Sequence, residues 1–270
     1  MIVVDRDTRL TEEIRKEIEE FIITGDSQEA IELSIRTGQE FHGDRYPKYF
    51  TGDLKAKVVL VHLNYQSTNN FADGETEEND FHRFEDYLDY HQHFGKYNFS
   101  DNAPRKIKSI LELKQIQFLQ PFGVVDFVSE QTEDSRWINL ERFSDRILQL
   151  KLIPYTSKKF SLRGLTPELL KPHLERILNI IISHPRDYII FHGTAFEQIL
   201  SKYIAAKQKF ELIEQKGKST CKNLRFLLLN LTYGGQTLKA GLIRSFASLR
   251  IPLSYYGKQC QHLYDRGTRF

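Results

Sequence analysis

The chain has 270 residues, 40% of them hydrophobic and 27% charged, with a formal net charge of +2. That composition supports a sizeable buried core and excludes a disordered or collagen-like chain. No apolar run approaches the roughly 20 residues of a membrane helix, and the start Met1-Ile2-Val3-Val4-Asp5 has no leader-peptide pattern.

Two distant cysteines, Cys221 and Cys260, suggest neither a disulfide framework nor a zinc site and fit a reducing cytoplasm. The near-neutral total hides an asymmetry. Residues 151–270 hold 20 Lys+Arg against 7 Asp+Glu, a balance of +13, and residues 1–150 carry −11. A basic half is the footprint of a polyanion binder, because phosphate contacts supply most non-specific affinity. Attraction between the two halves would give the same count.

Residues 9–37 read as two helices. Leu10, Ile14, Ile18, Phe21 and Ile22 recur at helical steps, and Asp26 or Ser27 can cap the second. Residues 38–53 form a loop leading into Val58-Val59-Leu60-Val61-His62, an apolar, β-branched run expected of a strand buried on both faces. An acidic loop follows at 71–80, then helical patterns at about 80–94 and 105–119.

Residues 124–128 fit either a short strand or an irregular segment, ahead of a helix near 139–147. A second strand runs from Leu148 to Pro154. Thr166-Pro167-Glu168 opens a helix with a capping residue and a first-turn proline, and the helix stops at His184 before Pro185. A third strand spans Asp187–His192, followed by Gly193 and a helix through Tyr203. A fourth spans Leu224–Leu231, and a last helix is expected over 238–249. Strands alternating with helices predict a three-layer α/β/α domain around a four-stranded, mainly parallel sheet. Residues 1–44 are a helical segment packed on a 45–270 domain.

In such sheets ligands bind past the carboxyl ends of the strands. Four ends would then share one edge: Asn64 to Ser67, Tyr155 to Ser157, His192 to Thr194, and Thr232 to Gly235. Gly193, Gly234 and Gly235 would let the backbone approach a phosphate, although most turn glycines serve only geometry.

The order of these pieces resembles the uracil-DNA glycosylase superfamily, in particular its thymine/mismatch-type branches. There a strand ends in Gly-x-Asn-Pro-Gly, where this chain has His62-Leu63-Asn64-Tyr65-Gln66. The lead-in Tyr49-Phe50-Thr51-Gly52-Asp53-Leu54 and the later Ile189-Ile190-Phe191-His192-Gly193-Thr194-Ala195-Phe196 are also similar, so the likeness spans about 45–255. The resemblance implies a DNA glycosylase that flips a base from the stack and hydrolyses its N-glycosidic bond. Asn64 would position the water. His62, Tyr65, Gln66, Phe71, Tyr155, Ser157 and His192 would line the base pocket, with Phe81 an alternative platform. Gly193, Gly234, Gly235, Lys239 and Arg244 would contact DNA. No cofactor, metal, membrane or obligatory protein partner is implied.

The chain departs from the family at His62, Tyr65 and Gln66. Thr232–Thr237 stands where a His-Pro-Ser-Pro loop is expected, so no histidine is supplied for the departing base. These departures point to a modified pyrimidine, of the kind antiviral relatives attack in phage DNA. The alternative is a non-catalytic nucleic-acid-binding protein of the same fold. Two weaker constellations remain: Asp80, His82, Asp86, Asp89, His91 and His93, whose simplest reading is a solvated helix face rather than a metal site, and Tyr255-Tyr256, able to stack on bases or to pack a C-terminal tail.

Overall fold

The computed structural model describes residues 6–66, 81–100, 110–123, 125–129, 132–157, 160–212, 225–246 and 252–267. The chain opens with helices α1 (Arg6–Thr24) and α2 (Gln28–Thr37), the second capped by the Ser27 hydroxyl and closed by Gly38 in the left-handed region. Strands β1 (Phe50–Thr51) and β2 (Val58–Gln66) follow, then helices α3 (Phe84–Gln92), α4 (Phe94–Phe99), α5 (Ile110–Leu119) and α6 (Glu133–Arg146). Next come β3 (Leu148–Ser157), α7 (Pro167–Ser183), β4 (Tyr188–His192) and the single turn α8 (Phe196–Ile199). Strands β5 (Ile204–Glu211), β6 (Arg225–Tyr233) and β7 (Gln236–Ile243) precede the closing helix α9 (Leu253–Arg266).

Among the described residues, seven strands form one sheet in the order β1-β3-β2-β4-β7-β6-β5. The four in the middle, β3, β2, β4 and β7, run parallel; β1, β6 and β5 add antiparallel margins. The α/β class holds, but two expectations need correcting. The sheet has seven strands rather than four. The fourth parallel strand is 236–243, overlapping the first part of the segment expected as a helix over 238–249, whereas the expected strand at 224–231 is antiparallel and forms a hairpin with it.

Alternation along β2 explains why helices cover both faces. Val59 and Val61 join Leu150, Leu152 and Phe191 in a core closed by Ile14 and Ile18 of α1 and by Leu174 and Ile177 of α7. Val58 and Leu60 join Ile190 and Leu228 in a second core, closed by Phe118 of α5, Phe143 of α6 and Tyr256 of α9. Gly257 allows α9 to lie directly on α5, since a Cβ there would overlap the Phe118 carbonyl oxygen. Residues 1–44 supply α1 and α2, and both contribute to the first core through Ile14, Ile18, Ala30 and Leu33. Among the described residues, no helix is long and apolar enough to cross a membrane.

Candidate functional site at the carboxyl edge of the parallel strands

Register brings the chemistry-bearing residues of three strands to one level. His62 lies opposite Lys151 on β3 and opposite His192 on β4, and His192 lies opposite Ile243 on β7. Asn64 is one step further out, opposite Ile153. His62 and His192 continue the even-numbered alternation of Leu60 and Ile190, so they face α5 and α9. Leu63 turns to the other face and packs against Gly193, whose φ of 129° suits glycine.

The two imidazoles form a buried relay. The Phe246 backbone N–H donates to His192 Nε2 at 2.7 Å, so a neutral His192 carries its proton on Nδ1. That nitrogen is 3.2 Å from His62 Nδ1, which must accept, leaving the His62 proton on Nε2. The Gln115 side-chain amide lies 3.2 Å from His62 Nε2 and completes the chain when its oxygen faces the ring. That orientation also gives the otherwise unpartnered buried Gln115 oxygen a donor. Burial, then Lys151, holds His192 down to about 3, and burial with Lys151 and His192 holds His62 well below its ordinary value. Both rings are therefore neutral at pH 7. Lys151 is itself lowered to about 8 by burial, with Glu112 opposing.

Asn64 is held in one orientation. Its amide donates to the carbonyls of Tyr155 at 2.7 Å and Ile153 at 3.2 Å, while its Oδ1 accepts from the Ser157 hydroxyl at 3.0 Å. Both hydrogens are used, and the oxygen keeps one lone pair. The clamp sits where the β2–β3 register shifts, between Asn64 and Gln66.

Asn64, Ser157, His62, His192 and Gly193 thus come together at one edge, and Arg244 follows β7 at that edge rather than sitting on a helix. Tyr155 joins them only through its carbonyl; its ring lies in the α1/α7 core. The backbone of Tyr65 and Gln66 belongs to β2, but their side chains and Phe71 lie outside the described residues. Phe81 packs edge-on against Tyr46 and Tyr87.

Gly234 and Gly235 do not share this edge. They form the turn of the β6–β7 hairpin, and because β6 runs antiparallel the turn lies at the opposite end of the sheet, with Gly234 beside Ile182 near the end of α7. The segment Thr232–Thr237 is therefore no strand-end loop of the site; Arg244-Ser245-Phe246 follows the fourth parallel strand instead. Lys239 is a strand residue whose Nζ donates to the Gly267 carbonyl at 2.8 Å, closing the end of α9.

Sequence reading missed Lys151, Gln149, which is buried two residues before it on the same face of β3, and Gln115. The first two left a signal, because Leu148-Gln149-Leu150-Lys151-Leu152 puts polar groups on one face of an otherwise apolar strand. Among the described residues, no group of three or more His, Cys, Asp or Glu is placed to hold a metal ion. In the acidic and histidine-rich helix, Asp86 pairs with Arg83, Asp89 with His93, and His91 is buried. Tyr256 is buried too, its hydroxyl donating to the Arg225 carbonyl. Compared with known proteins, the chain matches no family model, no curated protein and no solved structure.

Proposed function

We propose that this chain hydrolyses the N-glycosidic bond of a modified pyrimidine flipped out of DNA. The observation that carries the reading is the Asn64 clamp at the carboxyl edge of four adjacent parallel strands. An amide fixed by two donated hydrogen bonds presents its oxygen in one direction. A water that donates one hydrogen to the free lone pair of Oδ1 then turns its own lone pair toward the anomeric carbon. The bond from that carbon to the base nitrogen breaks, and its electron pair leaves with the base. The water oxygen bonds to the carbon, and its proton passes to the departing base or to solvent. The Lys151 ammonium, opposite His62 on β3, offers that anion electrostatic stabilisation. The uracil-DNA glycosylase-like fold belongs to this proposal, with the parallel strand quartet and the similarities around Asn64 and His192 as its support.

The test is an oligonucleotide panel carrying uracil, mismatched thymine, and hydroxymethyl- and glucosyl-cytosine, read by alkaline cleavage at abasic sites. Base release is expected from at least one substrate. Asn64→Ala should lower it about 100-fold, the loss expected of a misplaced reactant, while DNA affinity stays nearly intact. No alkali-labile site on any substrate sinks the proposal. The charge asymmetry favours a second reading, a DNA-binding protein that releases no base. Tight, strongly salt-dependent binding without cleavage would establish it.

A further inference from the structure

A second polar cluster lies on the face opposite the histidine pair, where α1, α2 and α7 meet β3. The Tyr155 hydroxyl is 2.9 Å from Glu17 Oε1 and 2.6 Å from Glu29 Oε2. A phenol has one hydrogen and cannot donate to two carboxylates. Its shorter contact identifies Glu29 as the acceptor, so the contact with Glu17 is a hydrogen bond only if Glu17 carries a proton and donates it to the phenolic oxygen. The Ser27 hydroxyl, 2.8 Å from Glu17 Oε1, donates to the same carboxyl.

Charge balance around the cluster leads to the same state. From α7, Arg176 Nη2 stands 3.7 Å from Glu29 Oε2, and His173 Nε2 stands 3.9 Å from Glu29 Oε1. Burial holds His173 down to about 4, so it is neutral at pH 7 and its facing nitrogen adds no charge. From α3 the buried Tyr87 hydroxyl donates to the Pro47 carbonyl and stays un-ionised. One guanidinium therefore faces two partly buried carboxyl groups. Burial is the largest single influence on Glu29 and opposes its charge, but Arg176, His173 and the hydrogen bonds with Tyr155 and Glu17 together hold that carboxyl below the usual range. Burial and the neighbouring Glu29 instead raise Glu17 to about 7.

We propose that a proton on Glu17, shared with Glu29 through the Tyr155 hydroxyl, fastens the α1–α2 pair to β3 and α7, and that losing it loosens the pair. Glu17 comes from α1, Ser27 and Glu29 from α2, Tyr155 from β3, and His173 and Arg176 from α7, so four elements meet at one proton. Removing it replaces a donated hydrogen bond by a carboxylate facing a phenolic oxygen and a second carboxylate. The fastened state binds that proton more tightly than the loosened one does, so its advantage is full at acid pH and fades as pH rises toward 7.

Amide hydrogen exchange in α1 and α2 of the full chain tests this, converted to opening constants over pH 5–8. Opening also exposes His173, whose titration runs in the opposite sense, so wild type is compared with Glu17→Gln, which retains a permanent donor. The ratio of wild-type to variant opening constants is expected to rise roughly tenfold per pH unit up to about pH 7, then level off. Parallel profiles overturn the proposal. Should the variant fail to fold, wild-type protein with carboxyl-labelled glutamate gives the same decision, since one glutamate must titrate near neutrality. If none titrates above about pH 6, where unperturbed glutamates are fully ionised, no such proton exists.

Discussion

His192 shows how one side chain can fix the chemistry of its neighbours. It takes the Phe246 N–H on one nitrogen and offers a hydrogen to His62 on the other, in a site about nine-tenths buried. Replacing it by leucine leaves a buried backbone donor and a buried ring nitrogen without partners, and each such orphan costs about 1–3 kcal/mol. His192→Leu is accordingly expected to lose about 2–4 kcal/mol of unfolding free energy in urea, whereas a loss below about 1 kcal/mol would mean that the relay is not formed. Much of this site was legible: His62, Asn64, Ser157 and His192 end apolar strands, and strand ends in parallel sheets converge. Tyr155 was not legible in the same way. Its strand position was visible, but the direction of its ring depends on the irregular backbone near Pro154 and on Glu17 and Glu29, more than 100 residues away in sequence.

At the scale of elements, packing overrode local pattern where local pattern was weak. Gln236-Thr237-Leu238-Lys239-Ala240-Gly241-Leu242-Ile243 spaces its leucines four apart and includes good helix formers, so its periodicity reads as helical. It is a strand because β6 pairs with it along the whole hairpin and β4 receives its other edge. Its neighbour β5 left little signal, being a margin strand with half-exposed and exposed residues in alternation. Lys207 and Lys209 on that margin are charges of the kind that discourage edge-to-edge pairing. By contrast, β2 and β4 were plain as continuous apolar runs, β3 from its alternating leucines, and α7 from Thr166-Pro167. The α5–α9 crossing carries a sharp prediction. Gly257→Ala forces a methyl into the Phe118 carbonyl, which should cost about 1–3 kcal/mol as overpacking does. Thermal melts would show this as a midpoint lowered by several degrees, and an unchanged midpoint would mean that the helices are not in that contact.

For the molecule as a whole, buried neutral histidines set the response to acid. Burial holds His91 and His192 down to about 3 and His173 to about 4, with His62 lower than its ordinary value as well. The unfolded chain binds these protons below about pH 6.5 and the folded chain does not, so stability is full above that pH and lost as pH falls. Each such histidine removes about 1.4 kcal/mol per pH unit within its window; Glu17, shifted upward, works the other way. Urea midpoints should therefore fall steeply from pH 6.5 to pH 4, with net uptake of more than one proton on unfolding. A flat profile across that range would show that the histidines are not buried uncharged.

The place of β7 in the sheet has a consequence for the order in which the protein can be built. Among the described strands it is the last to leave the ribosome, yet it sits in the interior, between β4 and the β5–β6 margin. Until it emerges, the apolar strand Tyr188–His192 presents a bare edge, and the β5–β6 ribbon has no attachment to the rest of the sheet. His192 also lacks its backbone donor until Phe246 has been made. Vectorial synthesis thus supplies β1, β2, β3 and β4 first, and the sheet can close and the histidine relay be completed only once β7 and Phe246 have emerged.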